Sequence, residues 1–145
     1  MDLQLRPIRR DDVPGLTALL GQLGYPTTDA AVHKRLDYWL DDRASWLIGA
    51  ADDDGLVGVA ALHVAPMLEV TGKLGRLLAL VVDERRRGRS VGRSLVTAVE
   101  DQARAAGCVK LEVTSSRHRT RTHEFYRQLG YADVCATSAR FVKTL

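Results

Sequence analysis

Apolar residues recur along this chain with two different periods, and the change of period predicts where helices and strands lie. Spacings of three and four residues indicate helices, whereas short apolar runs and alternation indicate strands. The predicted helices cover 12–23, 29–40, 90–106 and 120–129. The predicted strands cover 3–8, 46–51, 56–64, 74–82 and 110–115, and a final strand pair is predicted within 131–145.

Turn-forming residues separate these elements at the expected points. Asp54-Gly55 follows the strand 46–51 and is typical of a hairpin, because glycine supplies the positive φ that tight turns need. Gly107 and Gly130 each follow a predicted helix, where glycine commonly ends one. The order β-α-α-β-β-β-α-β-α-β-β predicts an α/β (α+β) fold with a mixed, mostly antiparallel central sheet flanked by helices. We expect one domain over residues 1–145.

The composition is that of an ordinary soluble protein, but its positive charge is clustered. Ten of 17 arginines lie within 76–93 and 117–127, although the net charge is only +3. Such clustering favours an anionic ligand. A nucleic-acid-binding regulator is the rival interpretation, and it is disfavoured because few aromatic residues accompany the arginines. No metal-ligand pattern includes the two cysteines. The chain shows no signal peptide or membrane span, so we expect a cytoplasmic protein.

The stretch 77–93 carries the clearest chemical signal. An apolar strand leads into the basic turn 85–89, and a predicted helix begins at Ser90. The first N–H groups of a helix lack intrahelical partners, and the helix dipole favours anions there. We therefore predict a pyrophosphate site, with Ser90 as the helix cap. A solvated basic turn is the alternative. Neither a P-loop nor a dinucleotide-binding fingerprint is present.

This loop resembles the acetyl-CoA loop of the GNAT N-acetyltransferase superfamily, whose motif is Arg/Gln-x-x-Gly-x-Gly/Ala. The matching residues are Arg87, Ser90 and Gly92, with serine replacing the first motif glycine. The stretch T-H-E-F-Y-R-Q-L-G-Y at 122–131 resembles the second family signature, Ala-x-x-Phe-Tyr-x-x-x-Gly-Phe/Tyr. The element order over about residues 3–143 is also that of the GNAT acyl-CoA N-acyltransferase fold.

The resemblance implies an acetyl-CoA-dependent N-acetyltransferase that acetylates a primary amine of a small molecule or protein. Within the family, the cofactor lies along an exposed edge of the strand before the loop. Arg119 falls where many members carry an asparagine that contacts pantetheine. The implied cofactor-binding residues are Leu80, Val81, Val82, Arg87, Gly88, Arg89, Ser90, Val91, Gly92, Arg93, Arg119 and Tyr126. The sequence does not decide whether the protein is a monomer or a homodimer.

Two residues are the candidate catalytic groups. Tyr126 matches the tyrosine that many members use as general acid, and a phenol is protonated at neutral pH; a packing role is the alternative. Leu78 stands where many relatives carry a glutamate, so the general base is sought elsewhere. Glu112 resembles a base position of some members, although it could equally be an ion-paired surface residue. Water is another alternative, and weaker candidates are His63, His118 and His123. Glu69 lies in the predicted loop 65–72, where residues that bind the acceptor could lie, and a solvated loop charge is its alternative interpretation.

A second class of function stays open beside the enzyme. The absence of a glutamate at position 78 and the serine at position 90 would both suit a protein that binds coenzyme A without turnover. The sequence does not name the amine acceptor.

Overall fold

The computed structural model describes residues 2–88, 90–115 and 119–145. They form two compact units, the first extending to Thr114 and the second running from Ser115 to Leu145. The single-domain organisation over 1–145 stays a prediction. Within the described residues, no helix is both long enough and apolar enough to cross a bilayer.

The first unit is built on a five-stranded sheet with the order β1-β2-β3-β4-β5. The first three neighbouring pairs are antiparallel, and β4 and β5 are parallel. The predicted mixed, mostly antiparallel sheet is therefore confirmed. The strands are β1 (Gln4–Pro7), β2 (Ser45–Asp52), β3 (Gly55–Pro66), β4 (Lys73–Val82) and β5 (Cys108–Val113).

Three helices belong to this unit, and a fourth belongs to the second. They are α1 (Val13–Leu23), α2 (Asp29–Asp41), α3 (Val91–Ala105) and α4 (Thr120–Gln128). Short 3-10 turns at Arg10–Asp12 and Glu84–Arg86 precede α1 and α3. The helices and the first five strands agree with the sequence prediction to within two residues at nearly every end.

Helices cover both faces of the central strands. On one face, Val59 and Val81 belong to a buried cluster with side chains of α1 and α2, such as Leu16 and Leu36. On the other face, a Cβ added at Gly58 would lie 3.0 Å from Leu95 Cδ1 of α3. Because successive residues of a strand point to opposite faces, Gly58 and Val59 meet different helices. Glycine at position 58 thus lets α3 approach β3 closely.

The predicted final strand pair is wrong. Residues 131–145 are all described, and they contain no strand. Their apolar side chains remain in solvent, with Val134 60% and Phe141 93% exposed. Alternation specifies a strand only where one face can be buried, and in this segment no apolar face is covered.

Candidate functional site

Strand β4 separates from β5 halfway along its length. The β4–β5 pairing ends at Leu77 opposite Val113, whereas pairing with β3 continues to Val82 opposite Gly58. At the point of separation Leu78 has no partner on β3, because the register shifts between Ala61 and Leu62. An extra residue of this kind is a β-bulge, which bends its strand. Within the described chain, no strand pairs with residues 78–82 on the side that β5 has left.

The backbone amides of β4 can be assigned to the two sides of the strand. The Asp83 amide donates to the Val57 carbonyl at 2.8 Å, toward β3. Amide direction alternates along an antiparallel strand, so Val81 also points toward β3. The amides of Leu80 and Val82 therefore point toward the open edge. Of the three predicted cofactor-binding residues on β4, two present their N–H groups there.

The loop after β4 ends in an anion-binding backbone geometry. Gly88 and Ser90 both have positive φ, 81° and 65°. The first backbone bond of α3 runs from the Ser94 amide to the Ser90 carbonyl at 3.0 Å. The amides of Val91, Gly92 and Arg93 are therefore without partners inside the helix. A left-handed residue followed by helical residues makes a concave group of N–H donors, which suits a phosphate oxygen.

Ser90 does not cap α3 in the predicted way. Its side chain makes no capping hydrogen bond. A capping residue usually has extended backbone angles, which aim its side-chain oxygen at the amides of the first turn. At φ 65° and ψ 12°, Ser90 has the left-handed conformation instead. This is a conformation that glycine adopts without cost, and glycine is the residue that the family motif carries at this position.

The arginines of the basic turn divide into two groups. Arg85 donates to Asp83 at 2.9 Å, and Arg86 reaches Asp52 and Asp54 at 2.8 and 2.7 Å. The hydrogen bond from Arg85 is the main cause that lowers the pKa of Asp83 to about 2.

The other arginines of the turn remain available to a ligand. Arg87 and Arg93 are exposed and form no ion pair with a described carboxylate. Arg89 lies outside the described residues. The sequence pattern did not distinguish Arg85 and Arg86 from Arg87 and Arg93, and the structure reveals that the first two already have carboxylate partners.

Tyr126 is the buried side chain of α4, only 8% exposed. Its ring makes edge contacts with Phe125 and Tyr131, with centroids 5.2 and 5.6 Å apart. Burial raises the pKa of Tyr126 to about 12, so the phenol keeps its proton throughout the neutral range. Arg119 immediately precedes α4. His123 lies within this helix, while His118 lies outside the described residues.

The remaining candidate residues lie on the first unit. The Glu112 carboxylate is 45% exposed, 3.8 Å from Arg76 Nη1 and 4.0 Å from Lys110 Nζ. His63 Nδ1 is 2.9 Å from the Ser45 hydroxyl. Glu69 is an exposed residue of the segment between β3 and β4. The side chain at position 78 is a half-exposed leucine, so β4 offers no carboxylate beside its bulge.

Sequence reasoning missed the residues that hold the loop in place. Asp52 and Asp54 were interpreted only as hairpin residues, yet both accept hydrogen bonds from Arg86. The Gln22 side-chain oxygen accepts from the Glu84 amide at 2.9 Å. Each of these partners lies 32 or more residues away from the loop residue that it bonds, so no local pattern could identify them. Among the described residues there is no cluster of three or more His, Cys, Asp or Glu side chains arranged for a metal.

Two named relatives resemble this chain in sequence. An aminoalkylphosphonate N-acetyltransferase from Salmonella typhimurium is 32% identical over 90 residues, 62% of this chain and 56% of that enzyme. The match thus spans little more than half of that relative's length. A glucosamine 6-phosphate N-acetyltransferase 1 from Oryza sativa subsp. japonica is 28% identical over 137 residues, 90% of this chain and 81% of that enzyme.

A solved structure and a family profile complete the comparison. A GNAT family acetyltransferase from Staphylococcus aureus has a TM-score of 0.82 over 100% of both chains, at 21% identity, which establishes the shared fold. The profile of the acetyltransferase (GNAT) family matches residues 9–131, which include the open edge of β4, the loop and α4. The chain therefore belongs to the GNAT acetyltransferase family, as its two sequence motifs predicted.

Proposed function

We propose that this protein is an acetyl-CoA-dependent N-acetyltransferase acting on a primary amine. One observation carries the proposal: the open edge of β4 leads directly into the amide cradle at the start of α3. The edge offers amides of Leu80 and Val82 to a ligand with its own amide groups, as pantetheine has. The cradle and the side chains of Arg87 and Arg93 suit a pyrophosphate.

The same edge supplies a hydrogen-bond donor for the carbonyl oxygen that reacts. Acetyl-CoA brings a thioester, whose carbonyl oxygen gains negative charge when an amine attacks it. A backbone amide fixed in a strand needs no reorganisation to stabilise that charge. We assign this role to the free N–H of Leu80 or Val82.

Tyr126 is the proposed proton donor to the departing thiolate, on the strength of its match to the family signature. A pKa of about 12 keeps the hydroxyl protonated at neutral pH. Glu112 is the first choice for the base that takes the amine proton. Its carboxylate has two cationic neighbours, Arg76 and Lys110, so a water molecule is the competing candidate.

The names of the two relatives suggest where to look for the acceptor. Both describe enzymes whose amine substrates carry a phosphorus acid group, a phosphonate in one and a phosphate in the other. We propose a small primary amine with such a group as the first acceptor to test. Amino sugars, polyamines, amino acids and peptide amines complete the panel. Release of free thiol with a given amine would identify an acceptor.

Calorimetry with coenzyme A tests the binding half of this proposal. We expect an affinity that falls as salt rises, because part of the binding energy is charge pairing. Gly92→Asp should abolish coenzyme A binding, since the substitution puts a side chain and a negative charge beside the cradle. Ala105→Asp is the matched control, adding the same charge to an exposed position at the far end of α3. Absence of binding to the wild-type protein at low ionic strength would overturn the proposal.

A protein that binds coenzyme A without turnover is the second candidate. The leucine at position 78 favours it, because this side chain cannot accept a proton. Binding without thiol release for any amine in the panel would support this candidate over the enzyme.

A further inference from the structure

We infer that Arg86 is a positioning residue for the cofactor's phosphates. It acts through Asp52 and Asp54, which hold the phosphate loop (residues 83–93) against the turn between β2 and β3. The inference rests on the proposed function, because it concerns how the same loop is prepared for its ligand. It also separates Arg86 from Arg87 and Arg93, whose side chains are free to bind phosphate directly.

The contact joins one guanidinium to two carboxylates, and its Asp52 half is shielded from water, whereas the Asp54 side chain is 69% exposed. Arg86 Nε donates to Asp52 Oδ2 at 2.8 Å, and Nη2 donates to Asp54 Oδ2 at 2.7 Å. The side chains of Arg86 and Asp52 are 11% and 3% exposed. The hydrogen bond from Arg86 is the main cause that lowers the pKa of Asp52. A planar guanidinium held at two points fixes direction as well as distance.

Two other tethers hold the beginning of the loop. The Asp83 amide is bonded to Val57 of β3, and the Glu84 amide is bonded to Gln22 of α1. Beyond Arg86 the described part of the loop has open space around it: a Cβ added at Gly88 would meet no atom within 4 Å. Arg86 is therefore the last described tether before the cradle. Its loss would leave Arg87 and Gly88 without a described tether to the sheet.

Simple electrostatics and this positioning role predict opposite changes in coenzyme A affinity for the substitution Asp52→Asn. Removing a negative charge near an anionic ligand should strengthen binding if charge alone matters. If Asp52 works by holding Arg86, Asp52→Asn should weaken binding instead. Asparagine keeps an oxygen for the turn amide of Asp54, which now donates to Asp52 at 2.9 Å. Asp53→Asn is the matched control, because it removes the same charge from an exposed neighbour that Arg86 does not contact.

The experiment measures coenzyme A affinity and acetyl-CoA kinetics for Asp52→Asn, Asp53→Asn, Arg86→Gln, Arg86→Lys and the double variant Asp52→Asn/Arg86→Gln. If the loop then spends about a tenth of its time in the binding geometry, the apparent Kd rises about tenfold. We expect this rise in Asp52→Asn and Arg86→Gln, with KM raised more than kcat is lowered. The double variant should be no worse than either single change.

Arg86→Lys distinguishes positioning from charge. Lysine keeps the charge but cannot reach both carboxylates, so we expect it to bind as poorly as glutamine does. Wild-type affinity in Arg86→Lys, or tighter binding in Asp52→Asn, would overturn the inference.

Hydrogen exchange of the ligand-free protein keeps this inference distinct from the proposed function. We expect faster exchange in Asp52→Asn and Arg86→Gln at the amides of Glu84, Arg85 and Arg86, which are hydrogen-bonded to Gln22 and Asp83, with Asp53→Asn like wild type. Faster exchange with unchanged affinity would overturn the positioning role while leaving coenzyme A binding intact. Wild-type protein that fails to bind coenzyme A would overturn the proposed function itself.

Discussion

Ser90 stands where the family motif has glycine, and it adopts the left-handed backbone conformation that glycine adopts easily. Its φ of 65° is the only positive value among the described residues other than glycine. A left-handed conformation costs an L-residue roughly 1–2 kcal/mol. The chain accepts this cost where the left-handed turn directs three amides toward one point.

Substitutions at Ser90 should therefore follow backbone tolerance rather than capping ability. We expect Ser90→Gly to melt close to wild type, because the relief of strain is offset by roughly 0.5–1 kcal/mol of glycine entropy. Ser90→Val should lose about 2 kcal/mol, or a Tm drop of roughly 4–8 °C, since a branched side chain resists positive φ. Thermal melting provides the measurement. A valine variant as stable as wild type would contradict the strain argument.

Tyr126 combines a packing role with the proposed acid role, and Tyr126→Phe separates them. The substitution keeps the edge contacts with Phe125 and Tyr131 and removes only the hydroxyl. We expect turnover to fall by about 10²–10⁴-fold, the usual contribution of general acid catalysis. Coenzyme A affinity and Tm should change little. Full turnover by the phenylalanine variant would leave Tyr126 as a packing residue only.

The proposed function of β4 depends on the end of its pairing with β5 at Leu77, which leaves one edge of the strand open. The apolar run of β4 predicted a buried strand; the pairing with β3 confirms the strand, but of residues 77–82 only Leu77 and Val81 are buried. The bulge at Leu78 depends on the register with β3, and the early end of the pairing with β5 depends on where β5 ends, so neither had a sequence signal. The exposed amides of Leu80 and Val82 follow from this tertiary arrangement.

Proline substitution tests the assignment of the β4 amides. Leu80→Pro removes an N–H that faces the open edge, so the ladder with β3 should survive. Val81→Pro removes an N–H that points toward β3 and should unfold the strand. We expect Leu80→Pro to retain most of its stability and lose turnover, and Val81→Pro to lose about 3 kcal/mol or more. Equal melting temperatures for the two variants would show that the assignment is wrong.

Beyond the site, an ion pair joins the edge strand β1 to the 3-10 turn that precedes α1. Arg6 donates two hydrogen bonds to Asp12, at 2.7 and 2.8 Å, and Asp12 also accepts from the Arg9 amide. The side chains are 15% and 8% exposed. The hydrogen bonds from Arg6 are the main cause that lowers the pKa of Asp12.

Asp12→Asn should destabilise the protein by about 1–3 kcal/mol at neutral pH, below the range for a fully buried pair because solvent screens part of it. The folded pKa of Asp12 is lowered, so its contribution is complete above the unfolded value of ~3.9 and is lost as pH falls through the folded value. The unfolding curves of wild type and variant should differ at pH 7 and converge as the pH is lowered stepwise through the folded pKa. Asp11→Asn, at an 80% exposed position, is the control and should match wild type at every pH.

The sequence by itself determined the elements and the family, because periodicity and turn residues are local and the two motifs are contiguous. It located the phosphate loop, the strand before it and the tyrosine of α4. The tertiary structure decided which of these side chains and backbone groups are available to a ligand. It separated Arg87 and Arg93 from the arginines already bonded to carboxylates, exposed one edge of β4, and left residues 131–145 without a strand. Except for the pairing of Arg85 with nearby Asp83, these outcomes depend on contacts between residues distant in the chain, which no local pattern contains.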